Sequence, residues 1–131
     1  MKKTISVGIG GAVGTLARVA VHQITLPLNF AYRPLFTMLI NISGSFLLGL
    51  ALTFFARHMK SITPQIRLGI ATGVLGGYTT FSTLCKESVE LYLSNHIIYS
   101  MAYAVFSVAL GLAAAWLGMR AAKRMERRRF V

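Results

Sequence analysis

The chain has 131 residues, more than half of them apolar, only 13% charged, and no aspartate at all. That length allows a single domain, and soluble domains average about a quarter charged residues, so the composition is that of a membrane protein rather than a soluble one. The formal charge of +11 would suggest nucleic acid in a soluble chain; in a membrane protein it marks cytoplasmic loops facing anionic lipid, and no nucleic-acid partner is expected.

The first expected helix covers about 5–25. The N-terminal Met-Lys-Lys and the apolar run after it resemble a signal peptide, but Arg18 interrupts the run and no small-residue cleavage site stands in place, so the segment is read as a membrane span. Gly10-x-x-x-Gly14 permits close approach of another helix. Arg18 has two readings: a side chain snorkelling to the interface, or a positive charge at the mouth of an anion pathway. His22, one turn later, is read as a packed or interfacial histidine.

Pro27, Asn29 and Pro34 mark the first connection, and the second helix is expected over 35–56, long enough to cross a bilayer. Thr37, Asn41 and Ser45 recur every fourth residue and form one polar stripe. Helix hydroxyls often bond their own backbone, whereas an amide such as Asn41 in a membrane helix faces a partner or water. Arg57, His58, Lys60 and Arg67 surround Pro64 in the second connection.

The third helix is expected over 65–93. Run continuously, about 29 residues would measure roughly 43 Å, well beyond the hydrocarbon core. The stretch Gly73-Val-Leu-Gly-Gly-Tyr-Thr-Thr-Phe-Ser-Thr-Leu84 resolves the mismatch with a break over 76–80, placed at Gly76-Gly77. Such a break is tolerated in lipid only where protein or a water-filled cavity surrounds it, and broken helices hold ions in transporters. Cys85 reads as a buried, inert thiol. Lys86 and Glu90 read as an interfacial polar cap. The fourth helix is expected over 97–119, with Tyr103, Ser107 and Gly111 on one face, followed by a basic tail over 120–131.

The three acids, Glu87, Glu90 and Glu126, lie toward the ends of the spans, and the histidines are dispersed without metal-ligand spacing. No enzyme constellation is visible, and proton relays lack their carboxylates. The interior carries neutral donors instead: Thr37, Asn41, Ser45, Thr79, Thr80, Ser82, Thr83, Tyr103 and Ser107. Donors without interior carboxylates suit an anion that must shed its water, and the ring edge of Phe81 adds partial positive charge. Carbonyls freed at the break suit a cation.

Gly10, Gly11, Gly14 and Arg18 in the first helix, Asn41 in the second, and Gly76-Gly77-Tyr78-Thr79-Thr80-Phe81-Ser82-Thr83 followed by Glu87 resemble the Fluc (CrcB) fluoride channels over essentially the whole chain. The resemblance implies an all-α membrane protein of four transmembrane helices, assembled in the cytoplasmic membrane as an antiparallel dimer with two fluoride pores. A sodium ion would lie at the dimer centre, held by the carbonyls of Gly76 and Thr79. Asn41, Thr37, Phe81, Ser82, Thr83, Tyr103 and Ser107 correspond to pore positions, while Glu87 and Arg18 match a glutamate and an arginine of the family. The implied activity is passive: HF enters through the bilayer and dissociates, and the channel returns the anion.

Two positions depart from the family pattern. Leu84 stands where the family has a second pore phenylalanine, and Tyr78 is bulkier than the aliphatic residue expected there. With four spans, Lys2, Lys3, Arg57, Lys60, Arg67 and the six basic residues from Arg120 onward share one side, against Arg33 on the other. That bias favours one-way insertion, so an antiparallel homodimer competes with a heterodimer containing an oppositely oriented paralogue. A small four-helix multidrug exporter is a further alternative, as is a non-conducting partner subunit; the exporter class needs a carboxylate in the membrane.

Overall fold

A computed structural model of the chain describes residues 1–25, 33–57 and 62–127, and its regular structure there is entirely helical. Pro27, Asn29, His58, Lys60, Arg128 and Arg129 lie outside the described residues. Helix α1 is Lys2–Thr25 and α2 is Arg33–Arg57. Helix α3 (64–78) starts as an α-helix at Pro64–Leu68, is wound as a π-helix over Gly69–Leu75, and returns to α winding at Gly76–Tyr78. Helix α4 is Phe81–Leu93 and α5 is Ile97–Arg127.

Lys2–Gln23, Arg33–Arg57 and Ile97–Met125 are long and apolar enough to cross a membrane. In each, fewer than a quarter of the residues in the most apolar stretch are buried within the chain, so Ile9, Leu16, Leu39, Leu52, Val105 and Leu112 present their side chains outward. Such faces are stable against lipid or another protein, not against water. Helix α4, with 13 residues, is only about 20 Å long and falls short of the hydrocarbon core alone.

Small residues set the packing. Helix α2 lies chiefly on α5 and α1 on α3. A Cβ added at Gly49 would meet the Ala115 carbonyl, and one at Gly118 the Phe46 carbonyl. Across the other pair, Gly10 rests on Gly69 and Gly73, and Gly14 on Val74. Ser6 Oγ donates to Gln65 O at 2.8 Å and pins the start of α3 to α1. A methyl at position 14 would strike the Val74 carbonyl oxygen, and backbone cannot yield as a side-chain tip can. Gly14→Ala should therefore destabilise by about 1–3 kcal/mol. Gly8, with nothing within 4 Å, is the control, and equal melting temperatures in detergent for the two alanine variants would refute this account.

Between α4 and α5 the chain reverses through Asn95, which has φ 64°. His96 N donates to Leu91 O and Asn95 N to Tyr92 O, the paired bonds of a Schellman stop with asparagine in the left-handed position. Helix α5 does not end near 119 as expected. After Gly118 no glycine or proline interrupts a run of Ala, Arg, Lys, Met and Glu, all good helix formers, and the Arg120 guanidinium lies 3.8 Å over the Trp116 ring. Cys85 is exposed, not buried; Leu84 and Glu87 take the inward face of α4, which turns Cys85 outward.

Candidate functional site: the break between α3 and α4

The interruption falls at Thr79 and Thr80, not at the two glycines. Gly76 and Gly77 are helical, and Gly77 serves close approach: a Cβ there would lie 2.6 Å from Gly11 O. Thr79 turns extended with ψ 157°, and Thr80 follows with φ −147° and ψ 119°. Threonine chemistry ends one helix and starts the next. Thr79 Oγ1 donates back to Leu75 O at 3.0 Å, and Thr80 Oγ1 accepts from Thr83 N at 3.1 Å as the N-cap of α4.

Asn41 holds the break open. Its Nδ2 donates to Thr80 O at 2.9 Å, while Thr80 N donates to its Oδ1 at 2.8 Å. One amide side chain thus satisfies both peptide groups of a residue outside regular structure, as buried backbone requires. The diversion of the Thr80 N–H also deprives Gly76 O of the donor that continuous α winding would supply four residues on. From the α1 side, Arg18 Nη1 donates to Thr79 O at 3.4 Å.

A cavity of about 290 Å³ opens beside Asn41, with Ser45, Thr80, Phe81, Leu84 and Ser107 in its wall. Ser107 is 4% exposed, and among the described residues its Oγ has no hydrogen-bond partner. Leu84 is buried, whereas Phe81 is 71% exposed within one chain and stands at the rim. Ser82 is also exposed; its Oγ is 3.3 Å from Thr80 Oγ1. Thr83 Oγ1 accepts from Thr80 Oγ1 at 2.9 Å. The positive end of the α4 dipole is therefore dressed with hydroxyls next to the cavity.

A second cluster lies one α4 turn deeper. Glu87 is buried; its Oε1 accepts from Thr37 Oγ1 at 3.0 Å and its Oε2 from Tyr103 Oη at 2.6 Å. A carboxyl group thus stands inside the bundle, contrary to the interior free of acids expected from sequence, and the Thr37 and Tyr103 hydroxyls are committed to it. Lys86 and Glu90 form an outward pair at 3.7 Å. Tyr78 Oη meets Ser43 Oγ at 3.2 Å, so the bulkier residue finds a partner on α2. Sequence reasoning did not anticipate that contact, the Asn41–Thr80 strap or the π-wound segment; only the glycines hinted at the last, and π turns are frequent at functional sites.

A sequence profile described as CrcB-like protein, Camphor Resistance (CrcB), matches residues 5–119. The chain belongs to the CrcB family. Curated CrcB relatives named "Fluoride-specific ion channel FluC" include that of Beijerinckia indica, 41% identical over 91% of this chain and 94% of its own. The protein of the same name from Acidobacterium capsulatum is 40% identical over 94% and 98%, and that from Flavobacterium psychrophilum 34% over 95% and 100%. The CrcB match takes in the whole break, the cavity wall and the Glu87 cluster, leaving only the first four residues and the basic end beyond α5's apolar part outside it.

Proposed function

We propose that this chain is a passive, fluoride-selective channel that lets cytoplasmic fluoride leave the cell down its gradient. The observation that carries the reading is the cavity beside the break, where the Ser107 hydroxyl is buried without a partner among the described residues and shares a wall with Asn41, Thr80 and Phe81. An unpaired buried hydroxyl costs free energy, and a small anion accepting its hydrogen bond offsets that cost. The fluoride in the relatives' names is such an anion.

In this reading α3 and α4 together make one crossing, giving four spans in the cytoplasmic membrane. Ser82, Thr83 and Ser107 line the anion track, Phe81 forms its aromatic wall, and the Asn41 amide and the Thr37–Tyr103–Glu87 cluster flank it. Arg18 supplies fixed positive charge beside the break. Two chains assemble antiparallel, each contributing to two pores, so the exposed ring of Phe81 finds its surroundings across the dimer. The residues at the break fit a sodium ion held by the carbonyls of Gly76 and Thr79: both are hard oxygen donors at the negative end of α3, and Gly76 O has lost the Thr80 N–H to Asn41.

A homodimer is the assembly proposed. The basic residues favour a second reading, pairing with an oppositely oriented paralogue, since Lys2, Lys3, Arg57, Arg67 and the end of α5 fall together if α1, α2, α3–α4 and α5 alternate in direction. The family favours the channel over a multidrug exporter.

The test is flux from liposomes containing the protein expressed alone, loaded with fluoride or chloride and given a potassium ionophore. Fluoride should leave and chloride stay; retention of fluoride refutes a channel made by this chain alone. Phe81→Ile should cut that flux at least about tenfold, about 1.4 kcal/mol on the barrier, with the dimer intact on gel filtration. Wild-type flux in this variant removes the ring from the pore.

A further inference from the structure

The Arg18 guanidinium and the proposed sodium ion seek the same atom. Thr79 O accepts from Arg18 Nη1 at 3.4 Å and is also one of the two carbonyls offered to the ion. It sits where α3 ends, at the negative pole of the helix dipole, so the end of this helix attracts a cation of either kind. The guanidinium brings a positive charge to this point.

We propose that Arg18 is the built-in counter-ion of the break and competes with the metal ion for Thr79 O. The inference rests on the reading of Gly76 and Thr79 as cation ligands. Two cations sharing one oxygen repel strongly in a partly buried site, where water screens little. The guanidinium must therefore withdraw when the ion arrives. Its hold permits that: 3.4 Å is long for an N–H···O bond, only one nitrogen is engaged in it, and arginine's apolar stem lets the head swing while the stem stays packed. Arg18 thus lowers the affinity of the break for metal and satisfies the carbonyl whenever the metal is gone. The withdrawn guanidinium stays tethered to α1, so ion binding also repositions a positive charge beside the anion track.

The experiment titrates sodium into the purified full-length protein in a sodium-free organic-cation buffer and reads the melting temperature and the fluorescence of the single Trp116. Arg18→Gln and Arg18→Met remove the charge, and Arg18→Lys keeps it. Half-saturation of the two neutral variants should need about tenfold less sodium than wild type, which corresponds to about 1.4 kcal/mol of relieved repulsion. Arg18→Lys should stay within about twofold of wild type, its charge repelling the ion in the same way. Neutral variants with an unchanged or weaker midpoint overturn the proposal, as does a lysine variant that follows them. Neutral variants that fail to fold even in saturating sodium also overturn it, because the ion should replace the missing guanidinium. If no protein responds to sodium, the cation site and the competition fall together. Fluoride flux measured on the same wild-type preparation then decides separately whether the channel reading stands.

Discussion

Asn41→Ala should lower fluoride flux by at least about 100-fold, an added barrier of about 2.7 kcal/mol. The side chain makes two bonds to one residue, Nδ2 to Thr80 O and Oδ1 from Thr80 N. Truncation strands a buried donor and acceptor, each costing about 1–3 kcal/mol. The cheapest relief is for the Thr80 N–H to return to Gly76 O, which extends α3 across the break and shifts the cavity wall that Thr80 and Phe81 share. The expected result is a protein that still dimerises on gel filtration but hardly conducts. Asn41→Asp keeps the acceptor for Thr80 N but sets oxygen against oxygen at Thr80 O, so it should conduct poorly as well. Full flux in Asn41→Ala would mean the break needs no strap.

The second large effect concerns Glu87. Glu87→Ala removes the acceptor of both Thr37 and Tyr103 and leaves two hydroxyls facing a void. Bonds to a carboxylate contribute about 1.5–3 kcal/mol each, so the loss of two should be about 3–6 kcal/mol and should lower the melting temperature by roughly 10 °C or more. Thr37→Val, which cuts one of the two bonds, should cost about half as much, and Glu87→Gln, which keeps one carbonyl oxygen, should fall between. A thermal scan in detergent gives the ranking. A Glu87→Ala protein that melts with wild type would show the cluster to be structurally idle.

The helical class, the three long apolar spans and an interrupted helix were readable because each rests on composition or on lengths measured against a fixed hydrocarbon thickness. The interruption falls within the expected 76–80, but its seat lies three residues beyond Gly76-Gly77. Glycine looks like the breaker because of its weak helix propensity, yet Gly77 is there to let α1 come close, while the break is made by threonine hydroxyls and an amide from another helix. That amide is distant in sequence, and no local signal announces it. Glu87 was misread for a related reason: position along a span says little about whether a side chain turns inward, and here Thr37 and Tyr103, from two other helices, complete its surroundings. Cys85 shows the same limit from the other direction, since its neighbours Leu84 and Glu87 took the inward face.

The π-wound segment Gly69–Leu75 gives α3 an adjustable length. Each of its bonds spans one residue more than an α turn does, so the segment behaves as an α-helix carrying an insertion that was absorbed in place. Removing one residue there returns the winding to α, and the surplus backbone is taken from the segment rather than from the elements on either side. The pinned start at Gln65 and the threonine break at the other end therefore keep their partners on α1 and α2. A one-residue deletion within the π-wound segment should therefore do less harm to the threonine break than one elsewhere in α3.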